Sequence, residues 1–199
     1  MSWVTSVLDL LFPPRCAACG APGAWLCPAC LAKVEWLQPP LCPHCGESLQ
    51  GGLCPRRHRH LEALDGLRSA AWHTGPLRPA IHRLKYGGQR VLAQPLAAIM
   101  VQVWHRAPLP ADVLVPVPLH GERERRRGYN QSVLLARELG CALGLPVEAR
   151  SLARIRATPP QVGLAAAERL ANVEGAFACR GDALHGRRVC LVDDLCTTG

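Results

Sequence analysis

Apolar positions along the chain switch between a helical and a strand period, and the order of those switches describes a mixed α/β protein. Trp3, Val4, Val7, Leu8 and Leu11 recur at helical spacing, which predicts a short amphipathic helix ended by Pro13 and Pro14. A cysteine-rich stretch follows. From Leu67 the periodic pattern resumes, with a strand near Leu67 to Trp72 and a helix from Leu77 to Tyr86 broken by Gly87 and Gly88. A second helix, about Val91 to Trp104, presents an apolar face. Asp112 to Pro118 predicts a buried strand, and Gln131 to Leu143 a helix behind a polar connection. Short extended segments near Val147 and Phe177 bound a polar, proline-broken stretch. It is expected to run as a surface excursion or flap from Thr158 to Gly163, then as a helix from Leu164 to Asn172. Val189, Leu191 and Val192 predict one last buried parallel strand.

Composition narrows the class. The 199 residues, 49% apolar and 19% charged, suit one ordinary domain plus a small appendage and carry no low-complexity tract. The formal charge of +8, mostly arginine, leads to an expectation of anionic partners. Charge alone does not separate a small polyphosphate from nucleic acid or from a solvated basic face. The opening apolar run is short, interrupted by Asp9, and lacks a basic leader or cleavage site, so neither a signal peptide nor a membrane span is expected, and the location expected is cytoplasmic.

The cysteines change the picture most. Of 11, seven lie between Cys16 and Cys54, and six of those form CxxC pairs: Cys16/Cys19, Cys27/Cys30 and Cys42/Cys45. Each pair can present two thiolates to a tetrahedral Zn2+. The simplest assignment gives one zinc to Cys16, Cys19, Cys27 and Cys30. A second site of Cys42, Cys45 and Cys54 then needs a fourth ligand, for which His58 or His60 is available, since Arg57 stands where another cysteine would fall. Spacing leaves open an interleaved pairing of Cys16/Cys19 with Cys42/Cys45, and an empty second turn. A module this small has little apolar core, so metal binding would supply much of its folding free energy. The run Arg56 to His60 can be read as a basic exit linker or as a nucleic-acid contact. Boundaries follow at 1–15 for the helix, 16–60 for the zinc-binding module and 61–199 for the α/β domain.

Candidate chemistry gathers at strand ends. Asp193 and Asp194 follow the last strand, where ligands collect in open α/β sheets, and Thr197, Thr198 and Gly199 suit a turn whose N–H groups wrap an anion. Carboxylates would repel phosphate, so ribose hydroxyls are their fitting partners, with the turn holding a 5′-phosphate. Behind the strand at Asp112 to Pro118, a loop carries Arg123, Arg125, Arg126 and Arg127, then Gly128 for a turn and Asn130 as an N-cap. Four guanidiniums there suit a diphosphate, unless Glu122 and Glu124 pair with some of them. Arg83 and Lys85 close the helix from Leu77, as helix-capping cations or as phosphate contacts.

Taken in order, the cysteine-rich start, LKYGG, VPVP with RRRGYNQ, RIRATPPQ, ERLANVEGAF and VDDLCTTG resemble the ComF family over essentially the whole chain. The resemblance implies a type I phosphoribosyltransferase-like parallel sheet with helices on both faces, preceded by a small zinc-ribbon module. It also implies an association with DNA uptake in natural competence. It assigns Asp193 and Asp194 to the ribose hydroxyls of phosphoribosyl pyrophosphate (PRPP) and Thr197, Thr198 and Gly199 to its 5′-phosphate. Arg127 with its loop, and Lys85, are assigned to the pyrophosphate, with Mg2+ accompanying PRPP. Arg156, Thr158, Gln161, Arg169 and Asn172 match the family's segment without a derived role. Arg57 in place of a cysteine departs from the pattern, as does the ending at Gly199, which leads to the expectation of a C-terminally truncated domain that binds PRPP poorly. Two functions follow: transfer of ribose phosphate to an unidentified acceptor, or a non-catalytic accessory that keeps the fold and binds single-stranded DNA or competence-machinery proteins.

Overall fold

A computed structural model describes residues 13–55, 63–158 and 171–196. The expected N-terminal helix, the basic run at 56–60, Gln161, Arg169 and the turn 197–199 lie outside the described residues. Among those described, the elements in order are α1 (Pro28–Leu31), α2 (Leu77–Tyr86), a 3-10 turn (Arg90–Leu92) and α3 (Ala93–Arg106). Then come β1 (Val113–Pro116), α4 (Gly121–Arg127), α5 (Gln131–Leu143), β2 (Leu152–Arg154), β3 (Phe177–Cys179) and β4 (Val189–Val192). No helix is long and apolar enough to cross a membrane among these residues.

β1 is the centre of the fold. Its four residues are buried, and it pairs in parallel with β4, Val113 opposite Val189 through Pro116 opposite Val192. On its other edge a parallel bridge joins Leu114 to Val147. The β1–β4 register is pinned at its start by Asp112, whose carboxylate accepts from the backbone N–H, Nε and Nη2 of Arg188. Those side-chain hydrogen bonds, reinforced by the backbone N–H, hold the Asp112 carboxyl down at about 2. α5 lies on β1 and β4, and α3 packs along α5. Leu135, Ala136 and Leu139 of α5 join Leu96, Ala97 and Ile99 of α3 and Leu77, Ala80, Ile81 and Leu84 of α2 in one core. A separate antiparallel pair, β2 with β3, docks beside α4 through a parallel bridge from His120 to Arg154.

The first cysteine cluster belongs to that same core. Cys16, Ala17, Leu26, Cys27, Cys30 and Val34 pack with the residues of α2, α3 and α5, while Cys42 and Cys45 form a smaller cluster with Leu49, Cys54 and Leu67. The stretch expected as a strand at Leu67 to Trp72 is not one. Its backbone donors are taken singly by loops, Leu67 N–H by the His44 carbonyl and Trp72 N–H by that of Glu35, and its bridge is a lone one between Ala71 and Trp36. Arg68 adds hydrogen bonds to the carbonyls of Pro43 and Ala107. The segment therefore straps the cysteine module to the helices instead of joining a ladder.

A second correction concerns the arginine-rich connection, expected as a loop and found as the helix α4. Glu122 and Glu124 lie in its first turn and Arg125 to Arg127 in its last, so its charges match the helix dipole at both ends. Gly128, at φ +81°, ends it in the left-handed conformation that a side chain would strain. Neither glutamate forms an ion pair with these arginines among the described residues.

Gly140 sits inside α5 for want of space. A Cβ built there would lie 2.6 Å from Val147 Cγ2 and 2.8 Å from the Leu145 carbonyl oxygen, and a backbone atom cannot swing aside. Gly140→Ala should therefore lower stability by about 1–3 kcal/mol, although alanine favours a helix interior by about 1 kcal/mol. The midpoint of urea unfolding reads the sign, and an increase would show that the turn after α5 yields freely.

Candidate functional site

Two groups of cysteine sulfurs converge. Those of Cys16, Cys19, Cys27 and Cys30 lie within 4.8 Å of one another, as do those of Cys42, Cys45 and Cys54. None of the seven is joined in a disulfide, so the module is not a disulfide framework. Cys19 and Cys27 sulfurs are 3.7 Å apart and those of Cys45 and Cys54 3.5 Å. A tetrahedral zinc with Zn–S bonds near 2.3 Å has S–S edges of about 3.8 Å, so the donor sets fit that ion. The sulfurs are grouped as the sequential assignment expects, with those of Cys16 and Cys19 beside Cys27 and Cys30. His58, the candidate fourth ligand of the second group, lies outside the described residues.

Local structure explains why the thiolates suit a cation. Burial would raise the Cys16 thiol, but backbone N–H groups of Cys19, Cys27 and Ala18 directed at its sulfur outweigh burial and bring it down to about 6. Burial and the neighbouring sulfurs then push Cys30 up to about 12. Four anionic sulfurs cannot share this pocket unless a cation neutralises them.

The second site is built where β4 ends against the start of α5. Asn130 caps α5, its side chain accepting from Ser132 N–H at 2.9 Å and donating to the Val117 carbonyl. That cap fixes Gln131 and Ser132, both buried, beneath the two carboxylates. Ser132 Oγ donates to Asp193 Oδ1 at 2.7 Å, and Gln131 Nε2 donates to Asp194 Oδ1 at 3.1 Å. Lys85 Nζ, from the end of α2, meets Asp194 Oδ2 at 2.6 Å, with the Asp194 side chain only 2% exposed. Surrounding protein and then the Asp194 charge push the Asp193 carboxyl up to about 6, although the residue as a whole is exposed to solvent. A raised folded value favours the fold at acidic pH and less so as pH climbs through about 6. At neutral pH the protein carries an ionised carboxyl that its surroundings disfavour, a common property of functional groups.

Beside the acidic pair lies a cavity of about 160 Å3 lined by Lys85, Arg123, Arg126, Arg127, Tyr86, Tyr129 and Gly88. Arg127 donates to Gln131 Oε1 and lies 5.1 Å from the centre of the Tyr86 ring. Tyr129 donates its hydroxyl to the Leu84 carbonyl, and Arg90 covers its ring at 4.7 Å. Of the residues singled out in sequence, Asp193, Asp194, Lys85 and Arg127 are thus brought together, and Thr197, Thr198 and Gly199 lie outside the described residues. Arg156 instead donates to the carbonyls of Asn172 and Glu174, joining the two ends of the segment between them. Ser132 and Gln131 were missed. The signal available was two polar residues opening an apolar helix directly behind an N-cap.

Two outcomes test this geometry. Metal analysis should find one tightly held zinc at the four-cysteine group and a second, weaker one. Cys16→Ser should lose the first and Cys42→Ser only the second, whereas loss of all metal from Cys42→Ser would restore interleaving. Removing Lys85 from the buried Asp194 in Lys85→Met should cost about 3 kcal/mol. Adding Asp194→Asn should restore part of that loss, and strictly additive losses in the double variant would rule out the pair as a coupled unit.

Residues 7–59 match a family described as the double zinc ribbon domain. The chain is 33% identical to Competence protein F of Haemophilus influenzae, across 87% of this chain and 79% of that protein. It is 34% identical to the DNA utilization protein YhgH of Salmonella typhi, across 96% and 88% respectively. With Competence protein ComFC of Bacillus subtilis the identity is 28%, across 89% and 75%. No solved structure matches the chain. Identity of this level along most of both partners, with a cysteine module in front and an acidic strand end behind, places the chain in the ComF family of competence proteins.

Proposed function

We propose that this protein binds PRPP at the end of β4 through a type I phosphoribosyltransferase-like domain, and serves the use of DNA taken up in competence. The observation that carries the reading is Lys85, which lines the arginine cavity and also pairs with Asp194. One side chain therefore joins an acidic pair suited to ribose hydroxyls to a cationic pocket suited to a diphosphate, in the order in which PRPP carries those groups. The names of the relatives, competence and DNA utilization proteins, support the biological setting.

In a transfer reaction the bond from C1 to pyrophosphate loosens early, so negative charge grows on the leaving group. Arg123, Arg126, Arg127 and Lys85 would stabilise that charge from a fixed position. Mg2+ fits this centre poorly as a protein-held ion. Asp194 is already neutralised by Lys85, and Oδ1 of Asp193 accepts from Ser132 and from Asp194 N–H, so the pair with Lys85 keeps too little negative charge to hold a dication by itself. The ion would be held on the oxygens of PRPP itself with its remaining waters, in keeping with its reluctance to dehydrate.

A second reading has its own observation. Tyr86 is 66% exposed, with His82 5.0 Å away and Arg127 on its ring, and basic side chains flank it. An exposed ring among cations suits stacking with a base of single-stranded DNA. Steep weakening by salt, indifferent to PRPP, would mark that function.

Calorimetry with PRPP and Mg2+ decides between them. Asp193→Asn is the cleaner probe, because Asp194→Asn would also break the Lys85 pair. It should weaken PRPP by about 1–3 kcal/mol and leave melting unchanged or higher. Wild-type affinity should grow as pH rises through about 6, the value to which Asp193 is raised, because a charged acceptor takes the ribose hydroxyl proton more strongly. PRPP's own phosphates titrate in the same range, so the carboxylate contribution is the part of the profile that Asp193→Asn removes. An identical affinity and profile in the variant would show that Asp193 does not touch the ligand.

A further inference from the structure

Thr158 collects two arginines from different elements. It is 9% exposed; its Oγ1 accepts from Arg154 Nη2, and its carbonyl accepts from Arg123 Nη2 at 3.5 Å. Arg154 comes from β2 and Arg123 from α4, elements held side by side by the His120–Arg154 bridge. Burial, and next the like charge of Arg123, draw the Arg154 guanidinium below its usual value, while Asp193 works in the opposite direction. Neither arginine forms an ion pair with a carboxylate among the described residues. Arg154 Nε is buried and has no hydrogen-bond partner among them, and the cation lies 5.3 Å from the centre of the Phe177 ring.

This arrangement is unfavourable as it stands. A buried donor without an acceptor forfeits its hydration, and two cations gathered on one threonine, one at its hydroxyl and one at its carbonyl, repel. Asp193 is the acid acting on Arg154, yet it already accepts from Ser132 and from Asp194 N–H. The missing component is an anion with several acceptor oxygens.

We propose that Arg123, Arg154 and Thr158 form an anion subsite for a phosphate or diphosphate group, with Nε of Arg154 donating to it. Arg123 also lines the cavity of Lys85, Arg126 and Arg127, so the subsite continues that cavity towards Asp193 and gives a diphosphate room to span both. That the diphosphate is the one on PRPP rests on the function proposed above. The subsite itself rests only on the two arginines and the unpartnered donor.

Calorimetry on the zinc-loaded full chain tests it, with inorganic pyrophosphate in one arm and PRPP with Mg2+ in the other. Pyrophosphate should bind the wild type and lose about 10- to 100-fold in affinity in Arg154→Gln, with zinc content and urea midpoint retained. Arg154→Lys keeps the charge but not the planar fork, and should lose affinity as well. It carries the test if the glutamine variant does not fold. No pyrophosphate binding by the wild type, or unchanged affinity in the variants, overturns the subsite. Pyrophosphate binding that needs Arg154, alongside no binding of PRPP, supports the subsite and removes PRPP as its source. PRPP binding at full strength to the variants overturns the subsite and leaves the PRPP reading standing.

Discussion

A carboxylate that is 2% exposed at a strand end has to be neutralised, and in this protein Lys85 does it from the last turn of α2. That pairing dictates where α2 stops. The chain must turn at Gly87 and Gly88 once the ammonium has reached Asp194, and the next residues are held in place from the α4–α5 corner. Arg90 donates to the Gly128 carbonyl and covers Tyr129, while Tyr129 reaches back to the Leu84 carbonyl. The ends of β4 and α2, together with the start of α5, are consequently fixed to one another. The cationic cavity follows from this, since Lys85 carries one of its walls.

Elements with a strong period were legible in the sequence. α2 and α5 begin and end where apolar spacing, the N-cap Asn130 and the glycines place them, and β1 is the buried run ended by proline. Legibility failed where tertiary partners decide. The residues from Leu67 to Trp72 have strand composition, but their hydrogen bonds go to isolated loop carbonyls, which no local pattern encodes. The arginine run was read for its charge as a ligand loop. The same charges, acidic first and basic last, also favour a helix, so α4 is both a helix and a wall of the cavity.

The candidate site divides the same way. Asp193 and Asp194 were visible because a charged pair closing an apolar strand is unusual in itself. Gln131 and Ser132 were hidden because their burial comes from β4, more than sixty residues away in sequence. Arg154 was hidden for a further reason. Its distinction is a hydrogen bond not made, which has no counterpart in a sequence.

The sharing of one core by the first cysteine cluster and the helices has a consequence for biosynthesis. Cys16 to Cys30 leave the ribosome before α2 and α5 exist, and a metal-closed loop of this length forms through contacts close in sequence, which are quick to make. Knuckles closed by a metal would then hold Ala17, Leu26 and Val34 ready as a template for the helices that pack on them. Scarcity of zinc would therefore be felt in the α/β domain as well as in the ribbons, as exposed helix faces and aggregation of nascent chains.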